Sequence, residues 1–227
     1  MTPLAGAQTP AGCGVSTVLP DLDFETYSEA GYIWDGAAGK WRAPPGATKK
    51  GIFAVGAAAY SEHPSTEILC LAYDLKDGLG PRLWIPGTPA PQELFDHIAA
   101  GGLLEAWNDS FEWWIWNNVA VKKLGWPPLP FWQLRDAMAK ARAHALPGAL
   151  GKAAEVLGTN AQKQADGKRL IQKFSCPRNP SKTRPEVRVR PEDDPADAAN
   201  LYAYCVGDIA AEAAVSAQCP DLIDSER

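Results

Sequence analysis

The sequence predicts an α/β fold, a mixed β-sheet flanked by helices, and two observations lead there. Strand-like apolar segments fill the first part of the chain, one more lies between helical patterns, and the rest is mostly helical in pattern. That order of elements is the order of a sheet covered by helices. The length of 227 residues, with 46% apolar and 22% charged side chains, is enough to bury a real core in one large domain. The same figures exclude a disordered tail and a collagen-like chain. No apolar run reaches the length of a membrane-spanning helix, so no membrane partner is expected. The five cysteines are odd in number and form no Cys-x-x-Cys pair, which points to a reducing compartment and away from a zinc knuckle. Residues 1–14 place no basic cluster before an apolar stretch, so a cytoplasmic protein without a secretory signal is expected.

The elements follow in order. Residues 1–16 are rich in Ala, Gly, Pro and Thr and are expected to be flexible. Residues 18–24 predict a strand, with Pro20 near its start where a missing N–H is tolerated. Residues 32–49 predict a loop insertion punctuated by Gly and Pro. Apolar segments 53–60 and 66–73 are separated by SEHPS, which predicts a hairpin connection. Residues 82–85 predict a short third strand. Pro91 opens a helix over 92–100, which Gly101 and Gly102 end. Residues 103–107 predict a buried strand. A helix over 110–124 carries Phe111, Ile115 and Val119 on one stripe and stops at Gly125 and two prolines. Short helices are predicted over 134–143, 150–157 and 166–174, an irregular stretch over 175–196, and a long last helix over 197–217. The domain is placed at 17–218, with 219–227 as a C-terminal tail or the start of a linker. The nine tryptophans are expected mostly in the core.

Three places carry carboxylates in a pattern. Asp23 and Glu25 flank Phe24, and strand alternation puts both on one face. Two carboxylates so placed repel unless a cation neutralises them; the alternative is a solvated strand end. Asn108 and Glu112 sit four apart at the opening of a helix and share a face, although Asn108 or Asp109 is equally suited to capping that helix. Tyr204, Asp208 and Glu212 fall on one face of the last helix, beside an apolar stripe of Leu201, Cys205 and Ile209; the alternative is a solvated helix edge. Gly207 inside that helix costs about 1 kcal/mol against Ala and leaves room for another backbone. Hard divalent cations such as Mg²⁺ take oxygen ligands. Four carboxylates can hold two such ions about 4 Å apart, an arrangement suited to in-line attack on phosphodiesters.

In this order, Asp23/Glu25, Asn108 with Glu112, and Tyr204 with Asp208 resemble the three exonuclease motifs of the DEDD superfamily. The match is to its tyrosine branch, the 3′→5′ proofreading exonuclease domain of bacteriophage family A DNA polymerases. The segments DFETYSEAG, EHPSTEILCLAYDL, AWNDSFEWWIW, ALPGALGKAAEVLG and GKRLIQKFSCP fit the same group, so the resemblance spans nearly the whole chain. It implies a ribonuclease H-like fold and a mechanism using two divalent cations, Mg²⁺ or Mn²⁺. Asp23, Glu25, Glu112 and Asp208 would be the metal carboxylates, and Tyr204 would position the attacking water. Ala203 stands where a related branch has histidine, and His63, His97 and His144 lie near no motif. Glu112 departs from the Asp usual in the wider superfamily, and Asp109 is the alternative third carboxylate.

The implied reaction is metal-dependent hydrolysis at the 3′ end of single-stranded DNA, releasing nucleoside 5′-monophosphates in proofreading. The alternatives are an exoribonuclease of the same superfamily and a catalytically silent module that binds DNA ends. A fused or separate family A polymerase is the expected partner and a monomer the expected state, since the length leaves no room for polymerase palm, fingers and thumb. The basic stretch from Lys168 to Arg190 is a plausible phosphate-contact strip, with a solvated basic loop as its alternative. The expected substrate contacts are Phe24, Thr26, Tyr27, Asn108, Phe111, Lys168 and Lys173. Asp136 and Glu212 are expected behind the ligands, orienting them. The net charge of −5 then reflects acids gathered at a metal site, with basic residues placed elsewhere.

Overall fold

The computed structural model describes residues 18–159 and 166–222. The expected flexible stretch 1–16, residues 160–165 and most of the expected tail lie outside these. Strand β1 (Asp21–Tyr27) leads into a small hairpin of β2 (Ile33–Asp35) and β3 (Lys40–Arg42). Helix α1 (Ile52–Glu62) precedes β4 (Glu67–Asp74) and β5 (Arg82–Trp84). Helix α2 (Gln92–Ala99), strand β6 (Leu104–Ala106) and helix α3 (Asp109–Ile115) follow. Then come β7 (Leu134–Asp136), α4 (Ala137–Ala143), α5 (Leu150–Val156), α6 (Gly167–Phe174) and the long α7 (Pro195–Ser216). No helix of the described residues is long and apolar enough to cross a membrane.

The sheet runs β5-β4-β1-β6-β7. β4 pairs antiparallel with both β1 and β5, whereas β6 pairs parallel with β1 and β7. This is the predicted mixed sheet, and its strand order is compatible with a ribonuclease H-like fold. Alternation sorts the side chains by face. Leu22, Phe24, Leu71, Tyr73 and Leu104 join Ile115, Trp116 and Val119 in the main core. Cys70 and Ala72 point the other way and meet Cys205 and Ile209 of α7. Trp116 is fully buried and makes edge contacts with Phe24, Phe95 and Trp126, so the expected core role of the tryptophans holds there. Trp34 and Trp132 are exposed.

Several predicted elements are corrected. Residues 53–60 form α1 rather than a strand, with the chain broken at Gly56 (φ 79°, ψ 166°). An eight-residue apolar run has no period that separates strand from helix; here Ala57, Ala58 and Ala59 favour helix and both edges of β4 are already paired. Residues 134–136 form β7 rather than the start of a helix, because β6 has a free edge and Leu104 and Ala106 pair with Leu134 and Asp136. Asp136 then caps α4, its Oδ1 accepting the Ala139 N–H at 3.0 Å. The predicted helix 110–124 is α3 continued in wider i→i+5 turns over Trp116–Leu124. The 32–49 insertion carries the β2–β3 hairpin. The beginning of the tail packs on the domain: Cys219 is buried and Asp221 pairs with Lys140 at 2.8 Å.

Trp116→Ala should cost about 3–5 kcal/mol of unfolding free energy, read from urea denaturation. A loss under about 1 kcal/mol would remove Trp116 from the core's centre.

Candidate functional site

β1 and β6 pair only at Asp21 and Glu105, after which the two parallel strands separate. The parting lies toward the carboxyl end of β1, and ligands of open α/β sheets gather at such a place. The separation leaves the Phe24 N–H without a strand partner on that side. Glu112, on the first turn of α3, fills the gap: its Oε2 accepts that N–H at 3.1 Å. On the other edge, the β1–β4 register shifts between Glu25 and Thr26. Bulges of this kind re-aim side chains beside functional sites.

Asp23 and Glu25 point to the α7 side, as alternation requires. Asp23 Oδ2 accepts the Cys205 thiol at 3.3 Å. Burial pushes the Asp23 carboxyl up to about 8, with the Asp208 charge adding and the Cys205 bond opposing. Burial also raises Glu25, reinforced by Asp23 and Asp208. Glu112 is raised by burial and then by Asp23 and Glu212, against the Phe24 N–H. The charged groups acting most strongly on these three residues are all carboxylates. Tyr204 hydrogen-bonds Asp208, and its phenol is raised by burial and by the Asp208 charge. The residues Asp23, Glu25, Glu112, Tyr204 and Asp208, expected from three separated segments, therefore lie within each other's fields. Asp109 does not join them: its carboxyl, raised to about 6, feels burial and then Asp136.

Among the described residues, no three His, Cys, Asp or Glu side chains close on one point as a bound ion would hold them. The donor set itself is hard carboxylate oxygen, which suits divalent cations of the Mg²⁺ class. A cavity of about 760 Å³ lies elsewhere, at the β7 edge beside Trp132 and Arg135.

The expected substrate residues divide. Phe24 and Tyr27 are buried; Phe24 packs on Trp116, and Tyr27 lies under the Arg188 guanidinium at 3.9 Å. Both side chains are committed to packing, so the structure gives them a core role where the sequence suggested nucleotide contact. Thr26 is buried and bonds the Tyr60 hydroxyl at 3.0 Å. Phe111 is half-buried, 6.1 Å from the Tyr60 ring. Asn108 adopts a left-handed conformation (φ 79°, ψ 63°) and its side chain does not cap α3; its Oδ1 accepts from the Ser110 hydroxyl at 3.4 Å. Lys168 is exposed on α6. Lys173 is held by Asp194 and by Asp197, the latter at 2.6 Å, which ties α6 to the start of α7.

Behind the ligands, Glu212 is buried, accepts the Trp107 N–H at 2.9 Å and acts on Glu112. Its Oε1 has no hydrogen-bond partner among the described residues. Asp136, by contrast, is the cap of α4 and acts on Asp109. Three contributors escaped the sequence reading. Cys205 was assigned to an apolar stripe, Tyr60 to a strand, and Gly167 was not singled out. A Cβ at Gly167 would stand 2.3 Å from Tyr204 Cε2, so the glycine makes room for the Tyr204 ring. Only the Gly in GKRLIQKFSCP hinted at this.

The comparisons place the chain beside a polymerase. It is 32% identical over 167 residues to a protein named DNA polymerase from Bacillus phage SP02; the match covers 72% of this chain and 25% of that relative. The chain thus spans about a quarter of the relative's length and is related to part of a phage DNA polymerase. No family model matches.

Gly167→Ala should displace Tyr204 and cost about 1–3 kcal/mol. Gly207→Ala meets open space within α7, contrary to the close approach expected there, and should gain about 0.5–1 kcal/mol. Thermal unfolding of the two variants checks the contrast; equal shifts would refute the packing of Gly167 on Tyr204.

Proposed function

We propose that this domain is a metal-dependent 3′→5′ exonuclease of a ribonuclease H-like fold that trims single-stranded DNA ends and proofreads for a phage DNA polymerase. The observation that carries the reading is the mutual action of buried carboxylates from three separate segments: Asp23 raises Glu25 and Glu112, Asp208 raises Asp23 and Glu25, and Tyr204 bonds Asp208. Relatedness to a phage DNA polymerase supports DNA as the substrate and a polymerase as the partner.

Divalent cations, Mg²⁺ or Mn²⁺, would supply a lowered water pKa and charge neutralisation on the scissile phosphate. Asp23, Glu25, Glu112 and Asp208 would hold them. Cys205 and the Phe24 N–H fix the Asp23 and Glu112 carboxylates through one oxygen each. Tyr204 keeps its phenol proton at neutral pH and donates it in a hydrogen bond to Asp208, so that its oxygen would accept from a water and orient it. Glu212 holds the Trp107 backbone at the end of β6, which fixes the entry to α3 and hence Glu112. Cleavage at the 3′ end would release a nucleoside 5′-monophosphate.

The test is a 5′-labelled single-stranded oligonucleotide incubated with Mg²⁺, with Mn²⁺, or with EDTA. Metal-dependent shortening from the 3′ end is expected, and its absence from the folded protein would sink the enzyme reading. Asp23→Ala and Asp208→Ala should each lower the rate at least about a thousandfold while the protein remains folded. Tyr204→Phe should lower kcat by on the order of ten- to a hundredfold with little change in the metal concentration required; an unchanged kcat would remove Tyr204 from the chemistry. RNA of equal sequence, degraded faster than DNA in the same assay, would reassign the substrate.

A further inference from the structure

The excursion between β1 and α1 leaves the sheet at the carboxyl end of β1, beside the acidic site. Its two limbs are pinched together at Gly31 and Gly51. The Gly51 N–H bonds the Gly31 carbonyl at 3.1 Å, both residues have positive φ, and a Cβ at Gly31 would stand 2.3 Å from the Gly51 oxygen. Between them the β2–β3 hairpin carries an unusual surface. Ile33 is 47% exposed, Trp34 41%, and Phe53, just beyond the stem, 78%. Residues 32–53 contain Lys40, Arg42, Lys49 and Lys50 against a single acid, Asp35, in a chain whose net charge is −5.

The aromatics on this hairpin form a series that starts at the acidic site. Tyr60, buried, hydrogen-bonds Thr26 and feels the charge of Glu25. The Tyr32 hydroxyl bonds the Cys176 thiol and lies within the fields of Tyr60 and Tyr27. From Tyr32 the series continues to the Trp41 ring, 6.4 Å away and nearly perpendicular, and then to Trp34, 5.3 Å further. Exposure rises along it, from buried Tyr60 through half-buried Tyr32 and Trp41 to exposed Trp34. The Trp41 N–H donates to Asn179 Oδ1 at 2.7 Å, which seats the hairpin against the basic 178–190 loop. Arg42 is engaged by Asp35, and the Lys50 ammonium by the Trp41 carbonyl at 3.1 Å. Lys40 and Lys49 make no ion pair among the described residues, and Lys49 stands 5.3 Å over the Phe53 ring.

We infer that the β2–β3 hairpin is a binding platform for single-stranded DNA, holding the nucleotides that precede the 3′ end engaged at the acidic site. Base stacking on exposed aromatics, with cations along the backbone path, is the physical basis of sequence-tolerant single-strand binding. A hairpin that only shielded the core would have no reason to expose Trp34 and Phe53 beside unpaired lysines. The inference rests on the exonuclease reading for what lies at the inner end of the series, and it adds a second subsite that the carboxylates do not define.

Fluorescence anisotropy of 5′-labelled oligothymidylates with phosphorothioate 3′ ends, in Mg²⁺, tests it on the full chain. Strands of about twelve and about four nucleotides are compared, within the span a single-strand site covers. The wild type should bind the longer strand at least about tenfold more tightly. Trp34→Ala should weaken the longer strand about tenfold and leave the shorter unchanged. Lys40→Ala combined with Lys49→Ala should weaken the longer strand and flatten its salt dependence. Melting temperatures equal to wild type keep both variants interpretable, since these side chains are exposed. Equal binding of both lengths by the wild type overturns the platform, as does wild-type affinity in both variants. A Trp34→Ala effect confined to sedimentation mass would assign the hairpin to protein association and also overturn it. Cleavage of ordinary oligonucleotides is scored separately: length-dependent binding that Trp34 supports, without any metal-dependent shortening, fails the exonuclease reading and retains the platform.

Discussion

Asp23, Glu25 and Glu112, three carboxylates that burial draws out of water and that act on one another, set the terms for this fold. Burial raises Asp23, Glu25 and Glu112, and each is raised further by the others or by Asp208 or Glu212. A fold selected for stability alone would place apolar groups there, because buried like charges oppose folding. The surroundings bear that cost in identifiable ways. The Cys205 thiol and the Phe24 N–H each satisfy one carboxylate oxygen. The main core, with Trp126 in edge contact with both Trp84 and Trp116, lies on the opposite face of the sheet. Apolar packing and acidic site thus share β1 and divide its two faces, Leu22 and Phe24 on one, Asp23 and Glu25 on the other.

The basic residues that the sequence gathers between Lys168 and Arg190 do two jobs. Arg169 and Lys173 of α6 both bind Asp197, which is held far below the usual carboxylate range by those two bonds, Arg169 first. Arg188 bonds Glu67 at 2.7 Å while covering the Tyr27 ring, and Arg178 bonds Glu186 at 2.8 Å. These residues fasten α6 and the following loop to the sheet and to α7. Within that stretch Lys168 on α6 and Lys182 and Arg184 in the loop make no ion pair among the described residues, and Lys40 and Lys49 about the hairpin make none either. The net charge of −5 therefore describes a protein whose acids are concentrated and whose bases are partly consumed by its own structure.

Much of this was legible in the chain because it depends on fixed periods. Alternation along a strand put Asp23 and Glu25 together, and the i, i+4 spacing put Tyr204 and Asp208 together; both are properties of the backbone. What was not legible depends on neighbours. Residues 53–60 have the composition of a strand or a helix, and only the paired edges of β4 decide between them. Residues 134–136 are too few to show any period, and the open edge of β6 makes them a strand. Asp136 looks like a ligand-orienting acid in sequence, but its oxygen is used by the Ala139 N–H. Cys205 falls in an apolar stripe by spacing and still reaches Asp23, because the face of α7 next to β1 is close enough for a thiol to bridge.

The choice of glutamate at position 112 follows from the same geometry. Glu112 stands on the first turn of α3, after the left-handed turn at Asn108, and its carboxylate has to cross the opening between β6 and β1 to reach the Phe24 N–H. Oε2 does so at 3.1 Å, the normal length of an N–H···O bond. An aspartate on the same backbone is one methylene shorter and would leave that buried N–H unpaired, a loss of about 1–3 kcal/mol, unless α3 moved toward the strand. Movement is restricted: Trp113 and Trp116 anchor this helix through indole N–H bonds to the Leu129 and Pro127 carbonyls at 2.9 and 2.8 Å. The cluster of tryptophans thus sets how far α3 stands from the sheet, and that distance calls for glutamate. A Trp-rich helix and a glutamate at its first turn, unrelated as sequence features, are consequences of one spacing.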